Sequence, residues 1–328
     1  MSEQKRKRLL SAVAVCLSVV LAGASLPAAA IDWSGVKETE VRMFYPGETS
    51  MEWIYSKRNH DGAAKYKNRK KTCRGCHDGD EYKYGTKAVK GSDTESKPLV
   101  GRRGYLEATV QAAYDGSDFY VRVKWPKTAE AINWPKFTDS LEGVKAEKHD
   151  TRLTLMLDDN SIEEFGVGGC WAVCHADERQ MSMGGNKEKY LAESRKKMHR
   201  KRGGGDNVLS DAEILALINK GVFLEYWQAM LDPGKPAEVA DGFILKERVE
   251  NPNTTVSVTA EELGNDWVVE FKRPLTSSQN HKALESGKIY TFGIALHDQQ
   301  TAGRYHLASL ELKLALGQGD ADIIAAKQ

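Results

Sequence analysis

The sequence predicts a mainly β fold: an antiparallel β-sandwich with a helical and loop insert. Short segments that alternate apolar and polar residues recur after residue 101, and Asx-Gly turns separate several of them. The chain has 328 residues, 41% hydrophobic and 28% charged, which is enough apolar content for a sizeable core. A formal net charge of +1 provides no overall field that would attract nucleic acid.

Residues 1–30 are typical of a secretory signal peptide that is removed on export. The basic residues 5–8 precede an apolar run from Leu9 to about Ala24, and residues 28–30 are the small alanines of a cleavage site. The apolar run is short for a membrane span, which needs ~20 residues, so a retained anchor is the less favoured alternative. Cys16 is lost with this segment. We therefore expect a periplasmic protein.

The strand predictions follow in chain order. Tyr105–Tyr114 and Phe119–Trp125 alternate on either side of Asp115-Gly116, which predicts a hairpin. A second hairpin is predicted around Gly264-Asn265. Its two strands are Thr254–Thr259 and Asp266–Phe271. The other predicted strands are Arg152–Leu157, Ile289–His297 and Tyr305–Leu314.

The alternation lapses between Asn160 and about Gly242, which predicts the insert. Within it, Ser210 and Glu213 have the spacing of a capping box that begins a helix. Residues 31–100 are polar, turn-rich and basic. The predicted organisation is thus a signal peptide at 1–30, an N-terminal segment at 31–100 and a sandwich domain at 101–328.

The mature cysteines occur in two pairs, each followed at once by a histidine. One pair has the pattern C-x-x-C-H and the other the rarer C-x-x-x-C-H. Two thiols about one turn apart can bond to the two vinyl groups of haem, and the adjacent histidine then becomes an axial ligand of the iron. The sequence predicts two covalently attached c-type haems, held by Cys73, Cys76, His77, Cys170, Cys174 and His175.

Three other chemistries use paired cysteines. A redox C-x-x-C of the thioredoxin type needs a βαβ context, which this pattern lacks. A four-cysteine zinc site and a pair of disulfides in an exported protein are the other two, but neither explains the histidines. Covalent haem accounts for every mature cysteine and both adjacent histidines.

Basic residues crowd around the first motif. They are Lys57, Arg58, Lys65, Lys67, Arg69, Lys70, Lys71 and Arg74, with Asp61 the single acid among them. The run is either a solvated face or a docking surface for an acidic redox partner. A segment this polar buries little apolar surface alone, so we expect a haem to supply its core.

Four stretches carry a family resemblance: GYLEATVQAAYDGSDFYVRVKWP, TRLTLMLDD, the glycine-flanked motif at 170–175, and YTFGIALHDQQTAGRYHLASLELKL. They resemble the haem-binding domain of the ethylbenzene dehydrogenase gamma-subunit family, over roughly residues 101–318. Similar domains occur in dimethylsulfide dehydrogenase and related molybdoenzymes, and residues 31–100 resemble the extra c-type haem segment of multihaem relatives. The resemblance implies a β-sandwich that holds haem near one sheet edge and transfers electrons.

The chain departs from the enzyme subunits of that family, which carry a non-covalent b haem held by methionine and lysine. Here the covalent motif makes His175 one axial ligand. The family's lysine corresponds to His306 by position only, because the residue type differs. This departure favours a free-standing cytochrome.

The distal ligands are predicted separately. His60 is favoured for the first haem, since the chain between it and Cys73 extends by ~3.3 Å per residue and can round the edge of the macrocycle. For the second haem we favour His306, with His297 as the alternative. Met181 follows the second motif so closely that its chain could reach the other haem face only with little slack.

These residues predict a periplasmic dihaem c-type cytochrome that transfers electrons and has no catalytic activity of its own. The expected partners are redox proteins, such as a membrane quinol-oxidising cytochrome or a molybdoenzyme, with neither nucleic acid nor a small-molecule substrate. Two alternatives stay open: an electron-transfer subunit of a molybdoenzyme complex, and a haem enzyme with an open iron site. Two nitrogen ligands per iron would leave no open position.

Overall fold

The computed structural model describes residues 31–328 except 48, 50–53, 56, 59, 69, 93, 96–97, 100, 128–148, 176–188, 198–206, 277–279 and 300–304. The predicted signal peptide, with Cys16, lies outside the described residues, as does Met181. Asp32–Gln328 form one compact unit.

Strands dominate the described chain. They are β1 Thr39–Phe44, β2 Tyr105–Tyr114, β3 Asp118–Pro126, β4 Thr151–Asp158, β5 Cys174–His175, β6 Lys189–Tyr190, β7 Leu224–Leu231, β8 Glu238–Ile244, β9 Arg248–Glu250, β10 Ser257–Leu263, β11 Asp266–Pro274, β12 Ile289–His297, β13 Leu307–Ser309, β14 Leu312–Leu316 and β15 Ile323–Lys327. The helices are α1 Ala63–Lys67, α2 Arg74–His77, α3 Glu81–Val89, α4 Glu163–Gly168 and α5 Asp211–Asn219, with 3₁₀ turns at Trp33–Gly35, Gly169–Ala172 and Ala192–Ser194.

The described strands other than β5 and β6 form one mainly antiparallel sheet. Its order is β10-β11-β3-β2-β1-β13-β12-β4-β7-β8-β9, while β14 pairs with β12 and β15, and β15 pairs with β2. The β14–β15 and β15–β2 pairs are parallel. β5 and β6 pair separately.

The two arms of this sheet face each other across one apolar core. Trp227 of β7 lies between the two arms, with ring centroids 6.1 Å from Phe119 of β3 and 6.3 Å from Phe271 of β11. Leu155 and Ile294 point into the same core. This facing of two strand layers confirms the predicted β-sandwich.

A second apolar cluster covers the outer face of the arm that contains β12, β4 and β7. Strand residues such as Met156, Tyr226 and Ala295 pack there against Phe165 of α4 and Cys170. Alternation along each strand separates the two clusters, since Leu155 faces the core and Met156 the outer layer. The insert therefore lies on the outer face of the sandwich.

The predicted strands at 105–114 and 289–297 have the bounds of β2 and β12. The capping box is present, because Ser210 Oγ accepts the Glu213 backbone N–H and the Glu213 side chain accepts the Ser210 N–H. The strand predicted at 254–259 begins instead at Ser257, since the Thr254 hydroxyl bonds to the backbone of Val256 and holds a turn.

The single strand predicted at Tyr305–Leu314 is broken into β13 and β14. Ala308 pairs with Ala295 of β12, whereas Leu312 pairs with Phe292. Residues 309–311 thus lie opposite only Gly293 and Ile294, which is a β-bulge with one extra residue. Ser309 Oγ accepts the Ile294 backbone N–H at 3.0 Å inside the bulge.

Seven of the described strands lie where none was predicted, and the short β5, β6 and β9 are among them. β1 belongs to the basic N-terminal segment, β7 and β8 lie in the predicted insert, and β15 follows the last predicted strand. β1 pairs with both β2 and β13. Across the described residues, no helix has the length and hydropathy needed to cross a membrane.

Candidate haem-attachment site

The first motif forms a single helical turn. Cys73 precedes α2, and its carbonyl accepts the backbone N–H of Cys76 at 3.1 Å and of His77 at 2.9 Å. This turn places Cys73 at the N-cap and Cys76 and His77 at the last two positions of one short helix. Cys73 is half-buried and Cys76 exposed, and both are free thiols.

His60 and His77 face each other. Their ring centroids are 6.1 Å apart with an interplanar angle of 38°. If each imidazole nitrogen lay about 2 Å from a metal between them, the centroids would be roughly 6 Å apart. The His60 Nδ1 lies 3.0 Å from the Ile54 carbonyl oxygen, which is the backbone hydrogen bond that orients a ligating histidine.

His77 also has the environment of a ligand. Its Nδ1 is buried and makes no hydrogen bond within the described part of the chain. Burial, and then the neighbouring His60, lower the pKa of His77. The neutral imidazole is the form that binds a metal. The residues around the first motif therefore fit an iron with two histidine ligands.

The second motif begins in the 3₁₀ turn Gly169–Ala172. Cys170 is buried, and its thiol points to the Ile294 carbonyl oxygen at 3.6 Å. Burial raises the pKa of Cys170 to about 12, so this thiol is not an activated nucleophile. The backbone of Cys174 and His175 forms β5, opposite Tyr190 and Lys189, while their side chains lie outside the described residues.

His297 and His306 continue the same face of the sheet. Each lies two residues from one member of the cross-strand pair Ala295–Ala308, so it points to the same side as that pair. The side chains of Ala295 and Ala308 belong to the cluster around Cys170. Their ring centroids are 4.6 Å apart and nearly stacked at 29°. That distance is too short for an iron between the rings, so this arrangement allows only one of them to be the distal ligand of a given haem.

The two motifs meet in space although about 100 residues separate them. The Cys73 backbone N–H donates to the Val167 carbonyl at 2.9 Å, just before the second motif. Trp171, inside the second motif, packs in the same small cluster as Cys73. Its Nε1 donates to Thr49 Oγ1 at 3.1 Å, and its ring lies 5.2 Å from that of Phe44. The structure brings both cysteine–histidine motifs to one junction.

Glu311 lies at this junction and was not among the site residues expected from the sequence. Its Oε1 accepts the Arg74 backbone N–H at 2.9 Å in the first motif. Its backbone nitrogen would lie 2.8 Å from a Cβ on Gly169, the residue before the second motif begins. There was no sequence signal for it, because Glu311 alternates with Leu310, Leu312 and Leu314 as an outward-facing polar residue would.

Most of the basic residues around the first motif are exposed. Those with exposed side chains are Lys57, Arg58, Lys65, Lys70 and Lys71. Lys67 covers the ring of Tyr55 at 5.4 Å, and Arg74 binds Asp322 at 2.6 Å. Arg69 lies outside the described residues. The exposed basic residues precede Cys76 along the chain, and their exposure is what both the solvated-face and the docking interpretation require.

Comparisons with known proteins match most of the chain. It is 32% identical over 327 residues to a cytochrome c-552 from Stutzerimonas stutzeri, covering 99% of this chain and 100% of that protein. It is 27% identical over 307 residues to a cytochrome c-551 from Rhodocyclus tenuis, covering 90% and 99%. A solved structure of a carbohydrate-binding module of family 9 from Caldicellulosiruptor kristjanssonii, in complex with glucose, aligns over 62% of this chain and 66% of that chain. The sequence identity is 10% and the TM-score is 0.28, which is too low to indicate a shared fold. The family model for ethylbenzene dehydrogenase matches residues 30–266, and the chain therefore belongs to the ethylbenzene dehydrogenase family.

Proposed function

We propose that this chain is a periplasmic dihaem c-type cytochrome that passes electrons between redox partner proteins. The observation that carries the proposal is the junction, where a hydrogen bond joins Cys73 to Val167 and Trp171 packs near both motifs. Two attachment motifs in contact suit transfer between two centres better than two independent sites would. The names of the two cytochrome c relatives support the same role.

The residues have distinct tasks in this proposal. Cys73 and Cys76 hold the first haem, with His77 and His60 as axial ligands, and Cys170 and Cys174 hold the second, with His175 and His306. Bound haem supplies a one-electron couple. The protein fixes the ligand geometry, as the hydrogen bond from His60 to Ile54 illustrates, and keeps water from the buried thiol of Cys170. Two histidines per iron leave no position for a substrate.

The first experiment counts haems. The protein is matured in a periplasm with c-haem attachment machinery and analysed by a pyridine haemochrome assay and mass spectrometry. We expect c-type bands and a mass gain of two haems, falling to one haem in a Cys73→Ala/Cys76→Ala variant and in a Cys170→Ala/Cys174→Ala variant. A single haem in the wild type would contradict the dihaem proposal, and N-terminal sequencing of the exported chain tests cleavage of the signal.

The second experiment tests the distal ligand of the first haem. His60→Ala should convert that haem to high spin, visible in its absorption and electron paramagnetic resonance spectra. His149→Gln is the matched control, because His149 is equally a histidine of the mature chain but lies 3.3 Å from Asp232. Unchanged low-spin spectra in His60→Ala would reject the assignment. High-spin wild-type protein would favour a haem enzyme, and co-purification with a catalytic chain would favour an enzyme subunit.

A further inference from the structure

Glu311 is a buried carboxyl group located where both haem motifs touch the sandwich. Its side chain is 8% exposed. Its Oε1 accepts the Arg74 backbone N–H at 2.9 Å, so the carboxyl group is tied to the turn between Cys73 and Cys76. Its backbone lies against Gly169 at the start of the second motif. An ionisable group in this position experiences the charge of whatever the motifs hold.

The β-bulge aims Glu311 at the motifs. Leu307 of β13 faces the core, and strict alternation would place Glu311 on that same face. The extra residue in the bulge reverses the alternation, so Leu312 and Leu314 face the core and Glu311 faces outward to α2. Bulges of this kind re-aim side chains next to functional sites.

The carboxyl group is incompletely paired. Glu311 Oε2 is buried and has no hydrogen-bond partner among the residues that the structure describes. Burial raises the pKa of Glu311 to about 6, although hydrogen bonds from Thr72 and Arg74 lower it. The charged group that faces it is Arg74, whose guanidinium is itself held by Asp322 at 2.6 Å; Cys73 also lies nearby and would be an uncharged thioether with haem attached. Both protonation states are therefore accessible near neutral pH.

We propose that Glu311 binds a proton when the first haem is reduced and releases it when that haem is oxidised. In the step, one electron from a donor protein reduces Fe(III) to Fe(II), and one proton from solvent protonates the Glu311 carboxylate. Both leave on reoxidation, so charge at the junction is balanced. The proposal rests on the proposed function, because it needs haem at the first motif.

The physical reason is electrostatic. Adding an electron removes one positive charge near the carboxylate and so raises its proton affinity, and at an effective dielectric constant of about 20 a unit charge at the junction changes that affinity by roughly tenfold. Linkage is reciprocal, so protonation favours the reduced haem by the same factor. The reduction potential of the first haem should then fall as pH rises from the pKa of Glu311 in the oxidised protein to its pKa in the reduced protein.

The test is a spectroelectrochemical titration of the holoprotein between pH 5 and 8. We expect the wild-type potential of one haem to fall by about 59 mV in all over this range, which is the tenfold change in affinity converted at 59 mV per decade, so its slope stays below 59 mV per pH unit. Glu311→Gln keeps an acceptor for the Arg74 N–H but cannot titrate, so it should remove at least half of this slope. Glu193→Gln is the matched control, since it is also a buried carboxyl group, and burial and then Glu164, rather than Arg74, raise its pKa to about 8.

Redox-difference infrared spectroscopy gives a second readout that a structural role would not move. A protonated carboxyl C=O band should grow on reduction in the wild type and be absent in Glu311→Gln. If Glu311→Gln does not fold, Thr72→Val replaces it, and by removing a hydrogen bond to the carboxylate it should move the sloping region to higher pH. An unchanged slope in Glu311→Gln, or a loss of slope in Glu193→Gln instead, overturns the proposal. Haem content and low-spin spectra, measured on the same samples, detect failure of the proposed function separately.

Discussion

Replacing Gly169 by alanine should damage the junction between the two motifs. Gly169 has φ +51° and ψ −133°, a combination that L residues rarely adopt. A Cβ there would lie 2.8 Å from the backbone nitrogen of Glu311 and 2.9 Å from its Cα. Both contacts are with backbone of the bulge, which cannot rotate away as a flexible side chain could.

The expected cost is the sum of two effects. A non-glycine residue in such a backbone region costs about 1–3 kcal/mol, and overpacking a well-filled site costs about 1–3 kcal/mol more. We therefore expect Gly169→Ala to lower the free energy of unfolding by roughly 2–6 kcal/mol. Since Cys170 is the next residue, haem attachment at the second motif should fall as well.

Gly166 is the matched control. It lies in α4 with nothing within 4 Å of a Cβ position, so alanine there should be neutral or stabilising by up to ~1 kcal/mol. Guanidinium unfolding followed by tryptophan fluorescence measures the stability of both variants, and mass spectrometry measures haem per chain. Equal stability of Gly169→Ala and Gly166→Ala, within about 1 kcal/mol, would refute the reasoning.

Further predictions concern the core, the second haem and acid stability. Glu225 and Arg273 form an ion pair with both side chains 0% exposed and Oε1 2.9 Å from Nη1. Glu225→Gln should therefore lower the free energy of unfolding, measured with denaturant, by about 3–5 kcal/mol. Glu285→Gln removes an exposed ion pair of 2.6 Å and should cost under about 1 kcal/mol; equal costs would contradict the argument from burial. His306→Ala should make the second haem high-spin and His297→Ala should not, and the opposite spectra would exchange their roles. Burial raises the pKa of Asp115, but hydrogen bonds from the following turn and a tyrosine hydroxyl lower it to about 2, below the usual 3.8. Its contribution to stability is present above pH 3.8 and is lost as pH falls towards 2, so Asp115→Asn should flatten the fall of the melting temperature over that window.

Alternation predicted the strands that have one buried and one more polar face. β2 and β3 are of this kind, with the turn at Asp115-Gly116 between them. β7 was missed because it is buried on both faces, so it shows no alternation. β8 was missed because buried polar residues such as Asp241 interrupt its apolar pattern.

The two motifs could be identified from the sequence, but their contact in the folded chain could not. Nothing in the spacing of Cys73 and Cys170 predicts the hydrogen bond between Cys73 and Val167. Glu311 was missed because a one-residue bulge has no sequence signature in an otherwise regular strand pattern, yet it changes the face on which each later residue lies. The assignments of His60 and His306 stay predictions that the ligand variants will test.

The position of β1 has a consequence for how the protein could be divided. β1 lies between β2 and β13, and through β13 the N-terminal strand is linked to β12 beside the second motif. Deleting residues 31–100 would leave two unpaired strand edges in the middle of a sheet, which is a template for aggregation. The N-terminal segment and the sandwich are thus not separable modules. We expect them to unfold in one cooperative transition, so that damage to either motif reduces the yield of both haems.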